Sequence, residues 1–384
     1  MCCFRNVVIV TLGLVWVACS EAVALDWELT RIGSVPNNTG NHYTIDVDGR
    51  GRVHLTYMGG EERISVAMYG LKEDDSWTFQ QVGIEAMHYT PVMAIDNNDL
   101  PHVFGRVDAA GNIDHFFQTP GGGWSKQNTG LNGWVDSASI DSTGRVHIAY
   151  RVGSWPAYDV HHAVYDSVSW TQSFVMSGVA VRNVGLALDT EDSPHLVFGN
   201  GDNFIYAVPD NSAWRTEIVD SIPEQNVGLN VGIALDSNNQ AHFCYEPGNL
   251  EPPKYATGQS GNWHIQDLPV AEGLYSGSSV LALDDYDQPH IAYASGSGST
   301  DHRATHWTTD GLLSEYEEIV DSHAGASGSD IVIDSDGVHV LLEYKIDHGI
   351  YYAHGTPEPT TLSLLALGGL AMLKRKRGQN RSVL

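Results

Sequence analysis

One phrase returns seven times along this 384-residue chain: an apolar residue, Asp, a polar turn, His, then a strand that usually ends in an aromatic. It is Val47-Asp48…Val53-His54-Leu55-Thr56-Tyr57 at its first occurrence and Ile140-Asp141…Val146-His147-Ile148-Ala149-Tyr150 at its third. The other pairs are Asp96 and His102, Asp189 and His195, Asp236 and His242, Asp284 and His290, and Asp334 and His339. Successive histidines stand 48, 45, 48, 47, 48 and 49 residues apart. A period of that length belongs to repeat architectures, in which each unit buries its faces against its neighbours.

The second half of each repeat holds a polar loop, a segment such as Phe204-Ile205-Tyr206-Ala207-Val208, and a short strand opened by Trp. Those tryptophans are Trp77, Trp124, Trp170, Trp214 and Trp263, with Leu313 in the sixth repeat. Four short segments per unit, divided by Gly, Asn, Asp and Ser turns, predict one four-stranded antiparallel blade. Seven units predict an all-β, seven-bladed β-propeller. The seventh repeat stops after its third strand at His354, while Trp27-Glu28-Leu29-Thr30-Arg31-Ile32 near the start resembles Trp77-Thr78-Phe79-Gln80-Gln81-Val82. The N-terminal strand is therefore expected to complete the last blade and remove two open sheet edges.

The two ends stand outside this pattern, which divides the chain into 1–24, 25–355 and 356–384. Residues 1–24 carry Arg5, an apolar run from Val7 to Ala18 and the small-x-small site Ala22-Val23-Ala24, the layout of a secretory signal peptide. A lipoprotein alternative at Cys19 meets Trp16 where an aliphatic residue is wanted. At the other end Pro357-Glu358-Pro359 precedes an apolar run, Leu362 to Leu373, and then Lys374-Arg375-Lys376-Arg377. That run is shorter than the roughly 20 residues of a spanning helix.

Tripeptide, apolar helix and basic stop in this order closely resemble the PEP-CTERM sorting signal of Gram-negative bacteria. The resemblance covers about the last 25 residues. It implies export, transient anchoring in the inner membrane, processing by an exosortase, and residence at the cell surface or in an extracellular matrix, often beside exopolysaccharide. The alternative is an ordinary tail anchor.

Cysteine and charge agree with export. Cys2, Cys3 and Cys19 leave with the signal peptide, so only Cys244 remains and no internal disulfide can form. Cys244 lies between Phe243 and Tyr245 in a predicted strand and reads as a buried thiol. Without the end segments, Lys and Arg fall from 20 to 14 and acids from 47 to 45, a net charge of −31. Such a field excludes nucleic acid and anionic membrane as partners.

Seven Asp and seven His at fixed spacing invite a catalytic or metal reading. A residue type recurring once per blade instead answers a need recurring once per blade. Asp is expected to accept hydrogen bonds from the amides of the following turn, and His to donate into the neighbouring blade. Asp46-Val47-Asp48-Gly49 and Asp334-Ser335-Asp336-Gly337 hint at Ca²⁺ but lack the ligand spacing of a calcium loop, so no metal or other cofactor is expected. The turns distantly resemble the Asp-box of sialidase-like propellers, with Gly kept in Asp48-x-x-Gly51 and Asp141-x-x-Gly144. That resemblance implies a blade scaffold and carries over no catalytic residue.

Function is expected where the repeats differ. The loop into each first strand and the loop from second to third strand open on one face, and there stand His88, Tyr89, Arg106, Trp134, Arg151 and Arg182. Aromatic rings stack on sugars, and Arg forks match carboxylates. These six residues point to a glycan- or protein-binding surface, with an acidic extracellular polysaccharide as the suggested ligand. The alternative is a polysaccharide-degrading enzyme, either a sialidase-like hydrolase or a lyase with His88 or Tyr89 as base and an Arg neutralising the uronate.

Overall fold

The computed structural model describes residues 25–34, 43–59, 66–83, 91–108, 110–222, 231–248, 251–270, 275–296, 302–309, 314–320, 326–344 and 349–357. They form seven sheets of four antiparallel strands, six with the strands in sequence order and the seventh with the chain's first strand added outside its last three, and contain no helix. The third blade is typical, with strands Trp134–Ile140, Val146–Ser154, Ala157–Tyr165 and Trp170–Val179 running from the central axis outward. Closure follows the expected route. Leu25–Ser34 pairs with Gly349–Pro357 as the outer strand of the seventh blade, placing Trp27 opposite Gly355 and Leu29 opposite Ala353. That third strand runs two residues past the boundary placed at 355 and includes Pro357 of the sorting tripeptide. The rest of that tripeptide, the apolar run, the signal peptide and Leu313 lie outside the described residues.

Burial explains why second strands are apolar on both sides. Val53–Gly59 and Val338–Tyr344 are buried at every position, since each blade is covered on both faces by its neighbours. The core divides accordingly into seven clusters, one at each junction between blades. Ala149 and Val160 of the third blade, for example, meet Val184, Leu196 and Phe198 of the fourth.

The repeated Asp does what its position suggests. Asp141 Oδ1 accepts from the amides of Thr143 and Arg145 at 2.9 and 2.8 Å, and Asp189 Oδ1 from those of Glu191 and Ser193 at 2.9 and 2.8 Å. The repeated His differs from expectation, because its partners lie in its own blade. One ring nitrogen faces the Asp, as in His54 Nε2 to Asp48 Oδ2 at 3.0 Å. The other meets a third-strand side chain that the sequence reading left out. That side chain is Tyr69, Tyr206, Tyr255 or Tyr352 in four blades and His115, His162 or His306 in the other three. Strand register decides this: His54 stands opposite Leu71, two residues along the same face from Tyr69, so the ring nitrogen reaches its own sheet first.

The link to the next blade passes instead through tryptophan. Trp124 packs edge-on against Tyr69 of the preceding blade at 5.4 Å, Trp214 against His162 at 5.5 Å and Trp263 against Tyr206 at 4.9 Å. In the sixth blade Trp307, on the third strand, covers Tyr255 at 5.4 Å, and Trp27 covers His306 at 5.5 Å. On the face bearing the Asp turns, adjacent blades are also clasped. Ser142 donates its amide and hydroxyl to Asp192 at 2.9 and 2.6 Å, and Ser237 donates likewise to Asp287 at 2.9 and 2.5 Å.

Candidate functional site

The opposite face carries the residues that vary. Arg106 ends the second strand of blade two, and its guanidinium lies 4.5 Å from the ring centre of Trp134 at the start of blade three. Trp134 is in register with Arg151, whose guanidinium lies 5.0 Å from the Tyr158 ring. Arg182, leading into blade four, stacks 4.6 Å over Trp155. The sequence-derived cluster Arg106, Trp134, Arg151 and Arg182 thus falls on one face across adjoining blades. His88 and Tyr89 lie outside the described residues.

Two local features shape this surface. The second and third strands of blade three are nine residues each and meet in a tight turn at Ser154–Ala157, which carries Trp155 out to 52% exposure. Its return is tied down where Ala180 donates to the Pro156 carbonyl at 2.7 Å. A bulge between Val135 and Ser137 inserts Asp136 into the inner strand, the kind of irregularity that re-aims a side chain. Just before it, Gly133 has φ +149°, and a Cβ there would lie 2.3 Å from the Arg151 carbonyl oxygen, so the strand approach requires glycine.

Asp136 determines what Arg151 does. The carboxylate takes Arg151 Nε at 2.6 Å and Nη2 at 2.8 Å, while Nη1 donates to the Val181 carbonyl at 3.0 Å. Burial pushes Asp136 up from the ordinary carboxylate value, and Arg151 pulls against that rise. Burial disfavours the charge on Arg151 as well, but Asp136 outweighs it and holds the guanidinium protonated. The fork expected to meet a ligand is therefore filled by the protein's own acid. Arg151 anchors the loop that presents Arg182. Arg182 itself is exposed and held by its ring partner, and Arg106 donates Nε to the Asp108 carbonyl at 3.0 Å. Asp136 was missed because its effect depends on a bulge that no local motif announces.

Charge is uneven around this face. The position four residues after each repeat His holds Arg106 and Arg151 in blades two and three, but Glu246 and Glu343, both buried, in blades five and seven. Along the axis the inner strands surround a cavity of about 360 Å³, lined among others by Asp46, Asp136, Asn183 and Asp330. Asp330 Oδ2 accepts the Ile45 amide of the next blade at 2.9 Å, and Asp46 Oδ2 accepts that of Ile95 at 3.3 Å. Burial raises Asp46 to about 6 and Asp330 to about 7, their backbone hydrogen bonds opposing the rise. Among the described residues no group of three or more His, Cys, Asp or Glu is placed to hold a metal ion. Cys244 is fully buried, and burial pushes its thiol up to about 12.

No family model matches the chain, and no curated protein matches it in sequence. Solved structures match it in shape. Kuenenia stuttgartiensis hydrazine synthase is 11% identical with a TM-score of 0.56, over 85% of this chain and 97% of that one. The Aleuria aurantia lectin in complex with Fucalpha1-6GlcNAc is 11% identical with a TM-score of 0.52, over 72% and 94%. The polysaccharide lyase Uly1 is 12% identical with a TM-score of 0.52, over 85% and 91%. Identities this low establish a shared β-propeller fold and nothing finer.

Proposed function

We propose that this chain is an exported, surface or matrix propeller that binds an acidic glycan across blades two to four, and that its last residues direct its sorting through an exosortase. The observation that carries the binding reading is the exposed Trp155–Arg182 pair on the same face as Arg106 and Trp134. An aromatic face offers a platform for a sugar ring, and a guanidinium next to it offers donors for a carboxylate or sulfate. The placement matters because the surrounding protein is strongly anionic. Arg106 and Arg182, two of the 14 cations between the end segments, make that patch a place where an anionic polymer meets less repulsion.

The test is binding of the purified protein to acidic and neutral polysaccharides over a salt series. The acidic polymer should be retained at low salt and released as salt rises, since exposed ion pairs are screened over roughly 8–10 Å. Arg182→Ala and Trp155→Ala should each weaken retention about fivefold to tenfold without lowering the melting temperature. Equal retention of neutral polymers, or no loss in either variant, would refute the reading. New absorbance from unsaturated sugar ends would instead identify a lyase.

A further inference from the structure

We infer a second ligand site on the opposite face, in the cleft between blades one and two, shaped for a single hydroxylated carboxylate such as a uronic acid residue. The first Asp turn, Asp48-Gly49-Arg50-Gly51-Arg52, is the one repeat turn that carries two arginines. Both line a cavity of about 540 Å³, together with Asn98 and Gln118 from blade two.

The arginines are held by one edge each. Arg52 Nε donates to Asp48 Oδ2 at 2.6 Å, and Arg50 Nε forms an ion pair with Asp99 Oδ2 at 2.9 Å. Among the described residues, the terminal nitrogens of both guanidinium groups have no hydrogen-bond partner. The two carboxylates do not cancel this donor capacity. Asp48 is saturated by the amides of Arg50 and Arg52, by Arg52 Nε and by His54, and Asp99 also takes the Gly49 amide at 3.0 Å. Two positioned forks with open ends suit a planar carboxylate.

The rest of the cleft favours hydroxyl groups beside that carboxylate. The Asn98 amide nitrogen donates to Asp96 at 3.3 Å and that of Gln118 to the Gly122 carbonyl at 3.4 Å, leaving both side-chain carbonyl oxygens as acceptors. His54 and Tyr69 at the floor bond each other at 2.7 Å and have little left to offer. Leu71, Leu100 and Pro120 supply apolar wall for a sugar ring. A cavity of about 540 Å³ has room for a sugar unit or a chain end.

D-glucuronate titrated into the protein by calorimetry tests this site separately from the face proposed above. Arg50 is 68% exposed, so Arg50→Gln is expected to fold normally, which an unchanged melting temperature would verify. Glucuronate should bind at millimolar concentrations, glucose should not, and Arg50→Gln should weaken binding about tenfold. Arg182→Gln should leave it unchanged. Failure of glucuronate to bind, equal binding of glucose, full affinity in Arg50→Gln, or loss in Arg182→Gln alone would each overturn the assignment. Acetate serves as a further probe. Acetate binding as tightly as glucuronate would remove the hydroxyl recognition and with it the proposal.

Discussion

His147 is buried with one ring nitrogen 3.3 Å from Asp141 and the other 3.1 Å from His162. Burial pushes its imidazole below its ordinary value of 6.5, with Asp141 opposing. The same holds at His54, His102, His195, His242 and His339, and burial takes His115 and His162 down to about 3. A base whose folded value is depressed contributes stability above its unfolded value and loses it as pH falls. The channel acids act in the other direction. With folded values of about 6 and 7, Asp46 and Asp330 contribute stability at low pH that is lost as pH rises through those values. Two outcomes follow. His147→Ala should cost roughly 1–3 kcal/mol in urea unfolding, because it strands buried partners, and should leave glycan retention unchanged once corrected for folded fraction. Asp330→Asn should flatten the fall in melting temperature between about pH 4 and 7. An unaltered pH profile would show that Asp330 does not titrate in that range.

At the scale of the strand, tryptophan carries the contact from blade to blade. Five fourth-strand tryptophans were legible as a repeat, and so was their counterpart Trp27. The sixth blade was not, since Leu313 breaks the pattern and Trp307 replaces it from the third strand. A contact conserved in space but supplied from another strand leaves no trace in spacing. Trp307→Ala should therefore destabilise the fold as much as Trp263→Ala does, about 3–5 kcal/mol each by denaturant titration. A much smaller loss at Trp307 would deny it that role. The third-strand Tyr and His partners escaped notice for a related reason: two residue types share one position, and only strand register brings them to the repeat His. The arginines were visible, but the acid that occupies Arg151 enters through a bulge. Charge in a sequence shows where a fork stands and not whether it is already filled.

For the molecule as a whole, the number of blades and the junction of the two ends were legible because a propeller is the same unit repeated. Each blade buries both faces only if it has a neighbour on each side, so the ring gains from closure at every junction. Closure rests on the pairing of Leu25–Ser34 with Gly349–Pro357, and Trp27 and Leu25 also pack into the cluster between blades six and seven. The measurement that bears most directly on this is thermal unfolding of a chain lacking residues 25–34. A closed ring predicts a melting transition lowered by many degrees and less cooperative, since the last blade loses its outer strand and the Trp27 contact to His306. A transition with the same midpoint and sharpness as the intact chain would contradict it.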